Sequence, residues 1–439
     1  MRGGGLRGRP GQRLRLALGL VALTAAAACA AAPPQEAAPR LDERLAGLLQ
    51  SRPDLFADLL DEADAHRIKI ELVVVEEGAA GPTLERHAYD RGPEYFYPAS
   101  AVKTAAVIAA FEQLSAPEAA GWQPGPAAGA PISRSTALRF HPLFDDDVLE
   151  VADPSHVDGG AITAGHEARK VLLVSDNAAY NRLYELAGND GVNGSLRAAG
   201  LAHTRIFHRL AEFRAPEEQL RVPAIDLLDD RGRVIASLPS RTASSPGTNA
   251  FLDGVEFGRA HTLGTQLIEG PMSFDRKNFM PLEDLVDMNI MLLRPDLQPA
   301  LDRLRGGPAR AGFGLSEVDR DFIREAMAST PGASADPRYD PSSYPDDYSK
   351  FLLPGLLRLR AAEELVVRDK VGRAYGFSIT NSEVVDRRTG RSFFLAATLY
   401  TNPNGVVGDG VYDYGRADRF FADLGEVVGR AVLGVERRL

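Results

Sequence analysis

The spacing of apolar positions along the chain changes character several times, and each change predicts an element. Residues 41–49 and 53–65 carry leucines at helical intervals. Residues 68–75 form an almost unbroken β-branched run, which predicts a strand; 77–83 read as a turn and 84–89 as a second strand. From Ser100 to Leu114 the chain is apolar on nearly every face, the pattern of a helix buried all round. Residues 121–160 are rich in Gly and Pro and predict loops, with the acidic run 145–147 solvated. Helices are predicted over 164–174 and 178–186, separated by the turn and cap formers Ser175-Asp176-Asn177, with a short helix over 192–199. Residues 203–218 are irregular. Residues 222–278 have a weak pattern, apart from a hairpin of 224–228 and 233–238 about Asp229-Asp230-Arg231-Gly232. Amphipathic helices over 281–293 and 316–328 follow, then a polar loop over 336–348. Residues 364–368 lead through Asp369-Lys370-Val371-Gly372 into strands 374–385 and 392–400, joined by the turn 386–390, and a helix over 416–430 closes the chain. Strands at both ends with helices between them predict a discontinuous α/β (α+β) fold. Its mainly antiparallel sheet is built from both termini and flanked by helices, and the middle of the chain supplies a helical lobe.

Composition adds limits. A chain of 439 residues, 44% hydrophobic and 25% charged, can bury a large core. A net charge of −10 argues against a nucleic-acid partner. Arg2, Arg7, Arg9, Arg13 and Arg15, followed by the short apolar run 16–28, read as a signal peptide over residues 1–29. Ala26-Ala27-Ala28-Cys29 resembles a bacterial lipobox, with Ala26 where a large aliphatic residue is usual; Cys29 would then be lipidated, the alternative being ordinary cleavage among the alanines. Either way the expected destination is the periplasm or cell envelope. Residues 30–40 read as an Ala/Pro-rich tether and 41–439 as one domain with an insertion at about 222–278. Cys29 is the single cysteine, so no intrachain disulfide is expected. No metal is expected either, because His166-Glu167 followed by Lys170 lacks the second histidine of a zinc helix.

The candidate chemistry starts at Ser100. Lys103, three residues on, would share its helix face in a poorly solvated place, where burial lowers a lysine's pKa and makes it a proton acceptor. Ser100 is then a nucleophile candidate with Lys103 its base. On the residues alone, an N-cap serine and a snorkelling lysine fit equally well. Lysine usage favours the first reading. Of 50 Lys and Arg only six are lysine (Lys69, Lys103, Lys170, Lys277, Lys350, Lys370), so the positions that kept lysine are candidates for what arginine cannot do, which is to lose a proton or act as a compact point charge. The Ser175-Asp176-Asn177 corner reads either as a plain helix junction or as a hydroxyl and a carboxamide held toward a site.

Ser100-Ala101-Val102-Lys103, Ser175-Asp176-Asn177 and Lys370-Val371-Gly372, in that order, resemble the Ser-x-x-Lys, Ser-Asp-Asn and Lys-Thr/Ser-Gly signatures of the penicillin-recognising serine hydrolases, the class A β-lactamases and DD-peptidases. The resemblance implies that Ser100 attacks an amide or ester carbonyl to form an acyl-enzyme, with Lys103 taking its proton. It implies that Ser175 relays a proton to the leaving nitrogen and that Asn177 holds substrate and lysine. Lys370 would supply a positive field for a substrate carboxylate, on a strand with Gly372, and the backbone N–H groups of Ser100 and Arg373 would form the oxyanion hole. Val371 stands where the family has a hydroxyl residue, which predicts weaker binding of ordinary β-lactams. Glu212 and Glu217 are the candidates for activating the deacylating water, and both also fit as surface carboxylates. The expected enzyme is a monomer without a cofactor, acting on a small-molecule or peptidoglycan-like amide or ester. A β-lactamase leads, a DD-peptidase-like or esterase enzyme of the envelope is the alternative, and a silent binding protein of the same fold is the third reading.

Overall fold

In the computed structural model, which describes residues 40–434 apart from 91 and 93, both parts of the chain with strand character meet in one sheet. The predicted leader, Cys29 and the Ala/Pro-rich stretch up to residue 39 lie outside the described residues. From edge to edge the strands run Arg40–Leu41, Thr83–Asp90, Lys69–Glu76, Ser392–Tyr400, Phe377–Asp386 and Leu365–Asp369; Gly372–Ala374 also pairs with Phe377–Asp386. Every pairing is antiparallel, as the sequence pattern predicts.

The unbroken apolar run at 68–75 is explained by what covers the sheet. Ile70, Leu72 and Val74 face one core and Val73 and Val75 another, so both sides of the strand are buried. Phe393, Leu395 and Ala397 join the first core, Phe394 and Ala396 the second. The first is capped by the helices Glu43–Gln50, Pro53–Leu60 and Tyr414–Leu433, which bring Leu45, Phe56, Phe420 and Phe421 to it. Against the second face lies Leu282–Leu293, and beyond it the helical lobe. There the apolar helix Lys103–Ser115 packs against Ala164–Val174 and Asn177–Ala198; the last is broken by Gly188 (φ 74°), between the helices predicted over 178–186 and 192–199.

Two stretches depart from expectation. Residues 121–160 are not simply loop: Gln123–Pro124 and Ala137–Phe140 pair with the hairpin Ile225–Leu228/Val234–Leu238, and Ile162–Thr163 completes that five-stranded sheet. The weakly patterned remainder of 222–278 holds a second hairpin, Ala260–Leu263 with Gln266–Glu269, whose first strand pairs in parallel with Val406–Val407. Segments of two to four residues are too short to show an alternation, which hides them in the sequence. The helix expected over 53–65 ends at Leu60, followed by turns that bury Ala63. Among the described residues no helix is long and apolar enough to cross a membrane.

Candidate active site

Ser100 sits in a single 3-10 turn, Ala99–Val102, that leads directly into the helix Lys103–Ser115. Ala99 holds φ at 46°, a left-handed conformation costly for a residue with a Cβ, and it turns the chain out of the Tyr95-Phe96-Tyr97-Pro98 entry. Gly372 lies against this turn so closely that a Cβ there would come 2.4 Å from the Pro98 carbonyl oxygen and 2.8 Å from the Ser100 nitrogen. The third motif therefore needs its glycine for backbone approach. The strand Gly372–Ala374 carries Arg373 past Ser100.

Lys103 is fully buried. Its Nζ donates to Asn177 Oδ1 (2.7 Å), the Asp176 carbonyl (3.2 Å) and the Ser175 carbonyl, and lies 3.3 Å from Ser175 Oγ. Burial, and then the nearby positive charge of Lys370, push this lysine well below its ordinary pKa, against the opposing pull of Asp176. Lys370 is equally buried; its Nζ donates to Ser175 Oγ (2.9 Å) and the Val371 carbonyl (2.8 Å). Burial lowers it to about 7, Asp369 resisting. The Ser175 hydroxyl thus sits between two amines, able to accept from one and donate to the other. Among the described residues Ser100 Oγ makes no hydrogen bond, and the hydrogen bonds of Lys103 all run to the 175–177 corner.

That corner is built by its own backbone. The helix Ala164–Val174 ends with Ser175 in the left-handed conformation (φ 61°), and Asp176 caps the next helix by accepting from the Ala179 N–H (2.8 Å). Asn177, at that helix's first position, is left exposed toward the cleft. Below it, buried Lys170 pairs with Asp153 (2.5 Å), and Arg182 with Glu150 (2.7 Å) and Glu167 (3.1 Å), which fixes the two helices to the 150–153 loop. Burial raises Glu167 to about 8.

Two cavities meet at Ser100, Asn177 and Arg373. One, of about 470 Å³, lies toward Ser175, Val371 and Tyr348. The other, of about 870 Å³, extends past Tyr375 to Glu212, His208 and Lys277. Ser100, Lys103, Ser175, Asn177, Lys370, Gly372 and Arg373 are thus brought together at one seam between sheet and lobe. The Arg373 side chain is engaged by Asp418 and the ring of Phe351, both of which line the smaller cavity, and by the ring of Tyr414. Val371 is buried and lines the smaller cavity. Glu212 lines the larger one, its carboxylate held by Arg214 Nε (2.9 Å) and Asn181 Nδ2 (3.3 Å); Glu217 lines it too and is exposed.

His208 and Lys277 escaped the sequence reading, although the scarcity of lysine had already set Lys277 apart. Among the described residues, one group of metal-ligating side chains comes together: His156, His166 and Asp336, with ligand atoms within 4.8 Å of one another. The two imidazoles stack at 3.5 Å, and both His156 nitrogens are engaged, with Asp336 (2.9 Å) and the Ala161 carbonyl (3.1 Å). Lone pairs in parallel ring planes do not converge on one ion, so the group acts as a clasp for Asp336.

No curated protein matches the chain. Solved structures similar to it include the chromosome-encoded β-lactamase of Vibrio parahaemolyticus, at 13% identity over 88% of this chain and 98% of that one with a TM-score of 0.46. Others are a β-lactamase from Streptosporangium roseum (15%, 89% and 99%, 0.45) and PBP-A (14%, 90% and 98%, 0.44). Residues 146–235, which include Ser175-Asp176-Asn177, match the β-lactamase enzyme family.

Proposed function

We propose that the chain is an exported serine hydrolase that cleaves an amide or ester through an acyl-Ser100 intermediate, in the manner of a class A β-lactamase. The observation that carries the reading is the pair of buried amines, Lys103 and Lys370, sharing the hydroxyl of Ser175 at the mouth that exposes Ser100. Lys103, its pKa lowered by burial, takes the Ser100 proton as Oγ bonds to the carbonyl carbon. Ser175 passes a proton to the leaving nitrogen or oxygen as the tetrahedral intermediate collapses. The N–H groups of Ser100 and Arg373 receive the oxyanion, and Asn177 holds the substrate amide. Lys370 acts through Ser175, since its own ammonium is buried. Water then releases the acyl group, with Glu212 the better placed of the two glutamates to activate it.

A second reading, a DD-peptidase-like or esterase enzyme of the envelope with a long-lived acyl-enzyme, is favoured by the ion pair that ties Glu212 to Arg214. A carboxylate so engaged is less free to orient a water. Intact-mass measurement with a small β-lactam panel and a nitrophenyl ester separates them. Transient adducts with nitrocefin turnover support the first, stable adducts the second. No adduct in the wild type would leave a silent binding protein of this fold, and an equal adduct in Ser100→Ala would mean that the acylated nucleophile is another residue.

A further inference from the structure

The two cavities divide the substrate, because Ser100 lies where they join. The Lys370 end of the strand borders the smaller one and Tyr375, two residues beyond Arg373, borders the larger. Ser175, which serves the leaving group, faces only the smaller cavity. The acyl portion must then extend into the larger one. Its far wall is built by the segment that follows the second hairpin, with Ser273, Asp275, Arg276 and Lys277.

The three buried or half-buried arginines that line this cavity are matched, and Arg276, next to Lys277, is exposed to solvent. Arg209 pairs with Glu185, Arg214 with Glu212 and Asp146, and Arg373 with Asp418. Lys277 is different: it is half-buried, its Nζ lies 5.8 Å from the centre of the Tyr375 ring, and among the described residues it has no carboxylate in ion-pair range and no hydrogen-bond acceptor. Burial alone accounts for its lowered pKa, with no acid opposing it. Beside it His208 places Nδ1 on the Arg209 carbonyl and leaves a buried Nε2 without a partner. A half-buried ammonium with no carboxylate and a buried ring nitrogen with no partner thus line one cavity, and an acidic ligand group there would meet the ammonium.

We propose that Lys277 is a specificity-determining residue that binds a carboxylate carried on the acyl portion of the substrate. The inference rests on the acyl-serine reading and names a substrate class for it: amides or esters whose acyl group ends in a carboxylate. The insertion is then part of substrate selection, and its anchor stands in for polar contact that Val371 does not offer on the other side.

The test compares two acyl donors with the same leaving group, mono-p-nitrophenyl glutarate and neutral p-nitrophenyl valerate, by kcat/KM on the full chain. Wild type is expected to favour glutarate by tenfold or more. Lys277→Ala and Lys277→Gln should cut glutarate turnover at least tenfold and leave valerate within about twofold, and Lys277→Arg should retain most of the preference. Valerate turnover in each variant reports that it is folded. Equal use of both esters by wild type, or an equal loss of both in Lys277→Ala, would overturn the proposal while leaving acyl transfer intact. Failure of Ser100 to accept either acyl group would overturn the acyl-serine reading and this inference with it.

Discussion

At the scale of single residues, the two site lysines differ in what burial asks of them. Lys370, lowered to about 7, is protonated below that pH and loses its charge above it. Because Lys370 acts through Ser175, kcat/KM should therefore fall as pH rises through about 7, approaching tenfold per unit. Arginine does not deprotonate in this range, so Lys370→Arg should lose that alkaline limb; a pH–rate profile unchanged by the substitution would sink the assignment. Val371 gives a second prediction. Val371→Thr places a hydroxyl at the smaller cavity and should raise the acylation rate by a penicillin about tenfold, measured by intact mass. These residues were legible in the sequence because their chemistry lies in side-chain identity and local spacing: a serine and a lysine one turn apart, a serine and an asparagine at a helix junction. Lys277 and His208 were not, because their significance comes from the polar partners that Lys277 Nζ and His208 Nε2 lack among the described residues, and partners are set by strands far away in the chain.

Among elements, the approach of one strand to one turn matters most. A methyl group at residue 372 would meet two backbone atoms of the Ser100 turn, neither of which can swing aside. Gly372→Ala should push the strand from the turn and slow acylation by about a hundredfold, with far-UV circular dichroism unchanged. A rate within threefold of wild type would show that the turn and strand are not coupled. The helices were readable from period and caps: Ser316 accepts from the Asp319 N–H (3.2 Å), and Pro281 opens the helix carrying Glu283 and Asp284 in its first turn. Bridging strands such as Gln123–Pro124 and Glu256–Phe257 were not, since two residues carry no period and their pairing is decided by the partner.

For the molecule as a whole, the insertion and the main sheet share a core. Phe257 packs on Phe377 (5.0 Å between ring centres) and Tyr400 (5.6 Å), and Phe274 on Tyr97 and Tyr375 (5.5 Å each). Phe257→Ala should cost about 3–5 kcal/mol in denaturant unfolding, the usual cost of emptying a buried phenylalanine site. The single tryptophan, Trp122, reports on the lobe, while circular dichroism reports on the whole chain. Because sheet and lobe bury one continuous core, the two probes should give coincident transitions; separated midpoints would mean that the lobe unfolds independently. The sheet drawn from both ends of the chain was legible, because a run buried on both faces must lie inside. How the 222–278 segment knits to residues 121–163 and 406–407 was not. The junction at Ser100 also bears on how such a molecule changes. Because the walls on its two sides come from separate stretches of backbone, 345–354 on one and 273–277 on the other, selection or design can retune what is released without disturbing what is retained, and the reverse.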